Sequence, residues 1–306
     1  MVTAMRSYPT SECTEANAII AVGQLSCDTV VSLDGPLVAR EHNPGSALSM
    51  PGGTAAIVAH NIAALGGNAV FSGQVGDGIE DQNALSTLRG VGVEIGSLTR
   101  SPRGLRVVIV VEPDGERTMF AAGDRPTWLG LELSIRPGDL VFFEGWHLLG
   151  GAPDADYVNL IREASASGAV VALDVCTANN AVPGHRDLLA DLPIDILLAN
   201  AAEGDALGLL SAPTSPVVIV HRGCEPTVLL TGGERRDFPV DVVRPLDTSG
   251  AGDTFAAGLL LALHDSAQSE DAVRRGLAAA RQVVRVPGPL LPAPRRARTQ
   301  TESIAI

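Results

Sequence analysis

Apolar residues in this chain gather in short runs, each closed by a glycine, an acid or a polar stretch. Residues 18–23, 69–75, 140–143, 169–174 and 194–199 are runs of strand length, and 217–220 and 227–230 follow the same pattern. Runs this short, bounded by turn residues and rich in Val, Ile and Leu, predict buried strands. Between them lie segments of helical composition: 54–65, closed by Gly66-Gly67, 81–89, closed by Gly90, then 155–165 and 202–210. Glycine directly after such a segment is a helix stop. A strand-like stretch at 238–243 leads towards two closing helices, 255–264 and 270–284. Apolar strands alternating with helices predict a mostly parallel sheet covered on both faces, an α/β fold.

The first third does not keep this rhythm. A strand is expected over 29–33, directly after Asp28, and 36–50 reads as loop with a turn at Pro44-Gly45. Runs at 105–111 and 117–121 flank Glu112-Pro113-Asp114-Gly115, and Asp-Gly between extended runs marks a β-hairpin. The segments at about 29–50 and 101–121 are therefore expected to form either an edge extension or a small separate sheet. Residues 1–16 read as a loose polar tail, 17–292 as one domain, and the Pro/Arg-rich stretch from Pro287 to Arg298 closes it ahead of a tail at 293–306.

Composition narrows the partners. In 306 residues, 22 Lys and Arg face 35 Asp and Glu, a formal charge of −13. That balance argues against nucleic acid or an anionic membrane as a partner, while a local cluster of cations could still hold an anionic substrate. Aromatics are 3%, too few for stacking platforms on single strands. The four cysteines (Cys13, Cys27, Cys176, Cys224) are scattered, as isolated thiols in a reducing compartment are. No apolar signal segment and no uncharged run of membrane-spanning length is visible, so a cytoplasmic protein is expected. No histidine or cysteine spacing suggests a metal set, and neither a G-x-S-x-G elbow nor a P-loop lysine motif occurs.

Candidate chemistry concentrates in Pro245-Leu246-Asp247-Thr248-Ser249-Gly250-Ala251-Gly252-Asp253-Thr254-Phe255-Ala256-Ala257-Gly258. Small residues at a helix start let backbone N–H groups approach an anion, and the helix adds partial positive charge. Asp253 in the same turn is either a general base or a helix cap, and the short motif by itself leaves both open. Asp28 after a small-residue turn, Gly52-Gly53 before a helix, and Asn200-x-x-Glu203 at a strand end carry the same ambiguity between ligand contact and turn or capping chemistry. Strand C-terminal ends are nevertheless where ligands bind in open α/β sheets.

Taken as a longer string, Asp247 to Gly258 resembles the C-terminal signature of the ribokinase-like (PfkB) carbohydrate kinase family, and the resemblance runs from about Ile19 to about Pro292. It implies a three-layer α/β sandwich with a small β lid over the sugar, formed by the segments near 29–50 and 101–121. It implies that Asp253 takes the proton from a substrate hydroxyl while the Gly250, Ala251 and Gly252 amides form the anion hole. Asp28, Gly52, Gly53 and Asp247 would then contact substrate. Asn200, Glu203, Gly223 and Thr248 would serve ATP, with Glu203 reaching Mg²⁺ through water. The resemblance further implies a sugar or nucleoside acceptor, a monovalent cation, and a homodimer formed through the lid. A catalytically idle sugar sensor is the alternative. Three positions depart from the pattern: Ile57 stands in the place of a substrate-contacting asparagine, Pro226 in that of a glycine near the nucleotide, and Asp81 in that of a glycine after Gly76-Asp77-Gly78. The last segment reads as mostly structural.

Overall fold

The computed structural model describes residues 17–114, 117–177 and 183–293. The chain begins with β1 (Ile19–Gln24), β2 (Ser26–Leu33), β3 (Gly45–Gly52), α1 (Thr54–Ala64), β4 (Ala69–Gly76), α2 (Ile79–Val91) and β5 (Glu94–Ser101). The strands β6 (Leu105–Val111) and β7 (Arg117–Ala122) follow, then β8 (Leu140–Glu144), α3 (Trp146–Leu149), α4 (Ala155–Ala166), β9 (Val170–Asp174) and α5 (Pro183–Asp191). The last third holds β10 (Ile196–Asn200), α6 (Ala201–Ala206), β11 (Val217–Arg222), β12 (Glu225–Thr231), β13 (Glu234–Phe238), α7 (Ala251–His264) and α8 (Ser269–Val283).

Nine strands form the central sheet in the order β13-β12-β11-β10-β9-β8-β1-β4-β5. Every pairing from β5 to β11 is parallel, and β12 runs antiparallel to both of its neighbours. Because strand side chains alternate between faces, each apolar run feeds two cores. Ile19 and Ala21 join one apolar cluster with Ile62, Leu85, Leu259 and Val273, from α1, α2, α7 and α8. Ile20 and Val22 join the other with Tyr157, Ile161 and Leu189, from α4 and α5. The fold is the three-layer α/β sandwich expected, with a mostly parallel central sheet. No helix among the described residues is long and apolar enough to cross a membrane.

The irregular first third makes a separate four-stranded sheet, β3-β2-β6-β7. This lid decides between the two arrangements left open by the sequence. Residues 45–50 of the expected loop belong to strand β3, which pairs with β2 from Gly45 to Gly52. Gly-Ser-Ala-Leu-Ser-Met-Pro-Gly is mostly exposed, so no buried face imprinted an alternation on it. Strand β2 begins at Ser26, before Asp28 rather than after it. The stretch expected as strand at 238–243 is coil beyond Phe238, and the strand lies earlier, at β13. Strand β5 and helix α5 carry no strong apolar period and were not anticipated. The tail at 1–16, nearly all of that at 293–306, and Gly115 of the expected hairpin turn lie outside the described residues. The β6–β7 pairing itself is antiparallel, as a hairpin requires.

Candidate active site

Parallel strands point their C-terminal ends the same way, and here five of them carry polar residues to one edge. Gln24 ends β1, Glu144 ends β8, Asp174 ends β9, Asn200 ends β10, and His221 and Arg222 end β11. Register makes neighbours of Glu144 and Asp174, and of Asn200 and His221. Helix α7 starts over this edge. Its N-cap is Gly250, in the left-handed region at φ +67°, where a Cβ would come within 2.3 Å of the Pro289 side chain. Only glycine suits both demands.

The four first N–H groups of a helix need partners from outside it. Helix α4 takes Asp154 as its cap, and α6 has a full capping box. Helix α1, whose N-cap Gly53 offers no side chain, receives the Glu144 carboxylate at 3.1 Å from the Ala55 N–H. Helix α7 has no side-chain cap at all, and the Ala251 N–H makes only a long 3.4 Å bond to the Thr248 carbonyl. Its first turn thus has no side-chain cap, an arrangement suited to an anion.

Asp253 stands in that turn, partly buried, with a hydrogen bond to Thr54. Burial, then the charges of Glu144, Asp28 and Glu203, push its carboxyl up to about 7, and the Thr54 bond opposes this. Burial raises Asp174 as well, with Asp253 adding to it, and burial raises Glu203 with Asp174 adding. Several carboxylates therefore share one poorly solvated space, which is the environment of a base tuned near neutrality. Glu144 is buried and fully employed: Oε1 accepts from the Gln24 N–H and from His147 Nε2–H, each at 2.7 Å. Sequence reading missed Glu144, Asp174 and His147. The signal was present, since Glu144 and Asp174 each end an apolar strand run, as Asn200 does.

The lid supplies the opposite wall. Asp28 on β2 accepts from the Ser26 hydroxyl at 2.6 Å, and a Cβ at Gly52 would lie 2.2 Å from its carboxylate, so the glycine makes room for it. Burial raises this carboxyl, and the Ser26 bond counters the rise. Ile57, one turn into α1, is 7% exposed but belongs to neither apolar cluster. Asp81, fully buried, holds Arg106 of β6 through bonds of 2.5 and 3.0 Å and accepts the Gly76 N–H at 3.2 Å. Burial alone would raise Asp81; the Arg106 hydrogen bonds and charge outweigh it and hold the carboxyl low. The departure at Asp81 is thus a tether between lid and α2.

Beside the open turn of α7 lies a cavity of about 610 Å³, lined by His221, Gly223, Thr248, Gly252, Phe255 and the irregular 239–245 segment, with Leu277 and Arg281 of α8 on its far side. The expected Gly223 and Thr248 both reach it. Asn200 and Glu203 close a reciprocal box, with Glu203 N–H to Asn200 Oδ1 at 3.0 Å and Asn200 N–H to Glu203 Oε2 at 2.8 Å. Asp247 turns its own loop, accepting from the Ser249 N–H at 2.7 Å and the Gly288 N–H at 2.9 Å. Asn61, unpredicted, braces the far side: it donates to Thr254 Oγ1 and the Pro289 carbonyl and accepts from the Leu291 N–H. Among the described residues no three acids, histidines or cysteines converge closely enough to hold a metal by themselves.

Comparison with known proteins bears on the family and the fold. A family model described as pfkB family carbohydrate kinase matches residues 19–296. A fructokinase of Klebsiella pneumoniae is 30% identical over 245 residues, covering 72% of this chain and 78% of its own. A cytidine kinase of Thermococcus kodakarensis is 25% identical over 290 residues, covering 87% and 96%. Among solved structures, adenosine kinase from Sinorhizobium meliloti superposes with a TM-score of 0.74 at 24% identity, over 91% of this chain and 96% of that one.

Proposed function

The chain belongs to the pfkB family of carbohydrate kinases, and from that premise we propose that it transfers the γ-phosphoryl group of ATP to a hydroxyl of a sugar or sugar-like small molecule, with Asp253 as general base. The observation that carries this reading is the pairing of Asp253 with the uncapped first turn of α7, at the mouth of the adjoining cavity. Asp28, Gly52 and Gly53 would orient the acceptor, whose hydroxyl gives its proton to the Asp253 carboxylate. The acceptor oxygen forms a bond to the γ-phosphorus as the bridging oxygen leaves with ADP. The Gly250, Ala251 and Gly252 amides donate to the transferring group as its charge is redistributed.

Mg²⁺ fits this site as an ion carried by the nucleotide, and when bound it would neutralise phosphate charge. The raised carboxyls of Asp174 and Glu203 record a crowding of negative charge that a cation relieves. Glu203 would reach that ion through a water, with its Oε2 already accepting from the Asn200 N–H. Lid closure over the acceptor would exclude water, favouring transfer over hydrolysis of ATP.

A nucleoside acceptor is the second reading, favoured by Ile57. An asparagine at that place offers a donor and an acceptor, whereas isoleucine is an apolar wall that suits a base or deoxy feature better than a hydroxyl. The test is acceptor-dependent ADP formation across a panel of sugars and nucleosides. ADP release that requires one class of acceptor supports the kinase reading and chooses between the two. Tight binding of a sugar with no ADP release from any acceptor would make the protein a sensor instead.

A further inference from the structure

The central sheet has a second hollow, at the ends of its strands away from α7. Where β8, β9 and β10 present the face that carries Ile20 and Val22, helices α4 and α5 cover it. Over β5 the irregular segment 123–139 takes the place of a helix, tied down by Thr99 Oγ1 donating to the Thr127 carbonyl. Between this segment and β1, β4 and β5 lies a cavity of about 630 Å³, well within the range of small-ligand sites. Ile20, Val70 and Ser72 line it from the strands. Strand β5 is bulged at this point: its pairing with β4 passes from Phe71–Ile95 to Gly73–Leu98, so Ser72 faces both Gly96 and Ser97. A bulge bends its strand and leaves one residue out of the ladder, a device common beside sites. Gly96 keeps the hollow open, because a Cβ there would collide with the Ser72 hydroxyl and lie 3.1 Å from Val70 Cγ1. Ser72 is 3% exposed, and its hydroxyl makes no hydrogen bond among the described residues.

A hydroxyl buried without a partner is costly unless something arrives to use it. The lining says what could arrive. Its charges are of both signs: Glu94 and Asp139 against Arg136. Asp139 is spent on its own loop, accepting from the Ala18 N–H at 2.9 Å and the Arg136 N–H at 2.7 Å. An anion would meet the two carboxylates and a cation would meet the guanidinium, so the hollow suits an uncharged molecule. Ser72 and Ser134 offer hydroxyls, and the exposed Glu94 carboxylate can accept from two hydroxyls at once; Glu94 and Ser134 are without hydrogen bonds or ion pairs among the described residues. Ile20, Val70 and Ile135 supply an apolar side. Many hydroxyls on one edge and C–H groups on one face are the chemistry of a free sugar. We propose that this hollow is a second sugar-binding site, separate from the acceptor cleft. Ala18 and Asn68 precede β1 and β4, and Glu94 opens β5, whereas Asp253 and the α7 amides stand over the opposite ends of the strands. A sugar held here is out of reach of the transferring group and is bound unreacted.

The test is calorimetric titration with ribose and with fructose. Asp28→Ala removes the proposed acceptor contact, so sugar that still binds this variant reports the second site. That remaining binding should weaken about tenfold when Glu94→Ala is added, the worth of a hydrogen bond to a charged group. It should vanish when Ser134→Trp is added, which fills the hollow from an exposed loop position. With Asp28 intact, Ser134→Trp should lower the stoichiometry from two sugars to one and leave kcat unchanged. An Asp28→Ala protein that binds neither sugar, beside a wild type that binds one, would overturn the second site and leave the acceptor reading standing. Remaining binding that ignores both Glu94→Ala and Ser134→Trp would overturn it as well. Inorganic phosphate bound in place of sugar, and lost with Ser134→Trp, would overturn the sugar assignment in favour of an anion site.

Discussion

The ends of the central strands and the four-stranded lid both present carboxylates to one cleft, yet they are built differently. Strands β1, β8, β9 and β10 are covered on both faces, and their end residues are locked by bonds of many origins, as Glu144 shows with its three donors. The lid is a single layer. Leu48 is 52% exposed, Met119 67% and Phe120 57%, and the tie from β6 to the body is the Arg106–Asp81 pair. Chemistry that needs a base and amides within fractions of an ångström belongs on the first kind of framework. Acceptor choice needs a wall that can differ from relative to relative without disturbing the base, and the second kind provides it.

If that division is right, disturbing the α7 turn should hurt far more than disturbing the lid. Gly250→Ala puts a side chain at φ +67° and against Pro289. Displaced amides should cost on the order of 10²-fold in kcat, as loss of a single anion-hole donor does. A variant with near-normal kcat would mean that the amides do not hold the transferring group. Arg106→Met comes next, leaving the fully buried Asp81 carboxylate without its cation. Removing one partner of a wholly buried pair costs about 3–5 kcal/mol, and with the Arg106 side chain 34% exposed the expected loss is nearer to about 2 kcal/mol. Asp81→Asn in the same background should recover much of it, read by denaturant unfolding. An Arg106→Met protein as stable as wild type would deny the lid this tether.

Smaller effects sharpen the contrast. Ile57→Asn should shift the kcat/KM ratio of ribose to a deoxy or base-bearing analogue towards ribose by about tenfold, on the scale of one gained or lost pocket contact. A wild type that already prefers ribose would refute the apolar-wall reading. The last expected effect is on stability against pH. Asp253 has its folded pKa raised from 3.8 to about 7, so the folded state holds a proton that the unfolded chain has released. Its contribution is fully present below about pH 4 and is lost as pH rises through about 7. Asp253→Asn should therefore melt higher than wild type at pH 8, with the gap closing towards pH 4. A gap independent of pH would place Asp253 outside the crowded acids.

The covered region was legible in the sequence and the lid was half legible, for one physical reason. Burial on two faces writes apolar runs such as Ile196–Asn200, which end at the residues of the proposed site. Strand β3 is exposed along most of its length and carries no such imprint. Gly250 was legible because backbone geometry demands a glycine there, and Asp253 because it stands in the string that resembles the family signature. Glu144 and Asp174 end such runs too, but their meeting with the starts of α1 and α7 happens only in the fold. Asn200 and Glu203 were legible as a motif, and the structure adds that both are already engaged in capping α6.

Phosphoryl transfer by this chain turns most directly on the proton acceptor. Asp253→Asn leaves shape and amides in place and removes only the base, and the measurement is steady-state kcat alongside ADP affinity. ADP binding should stay close to that of wild type while kcat falls by about 10² to 10⁴, the usual cost of losing a general base. An Asp253→Asn protein that turns over at a near-normal rate would contradict the assignment of Asp253 as the base.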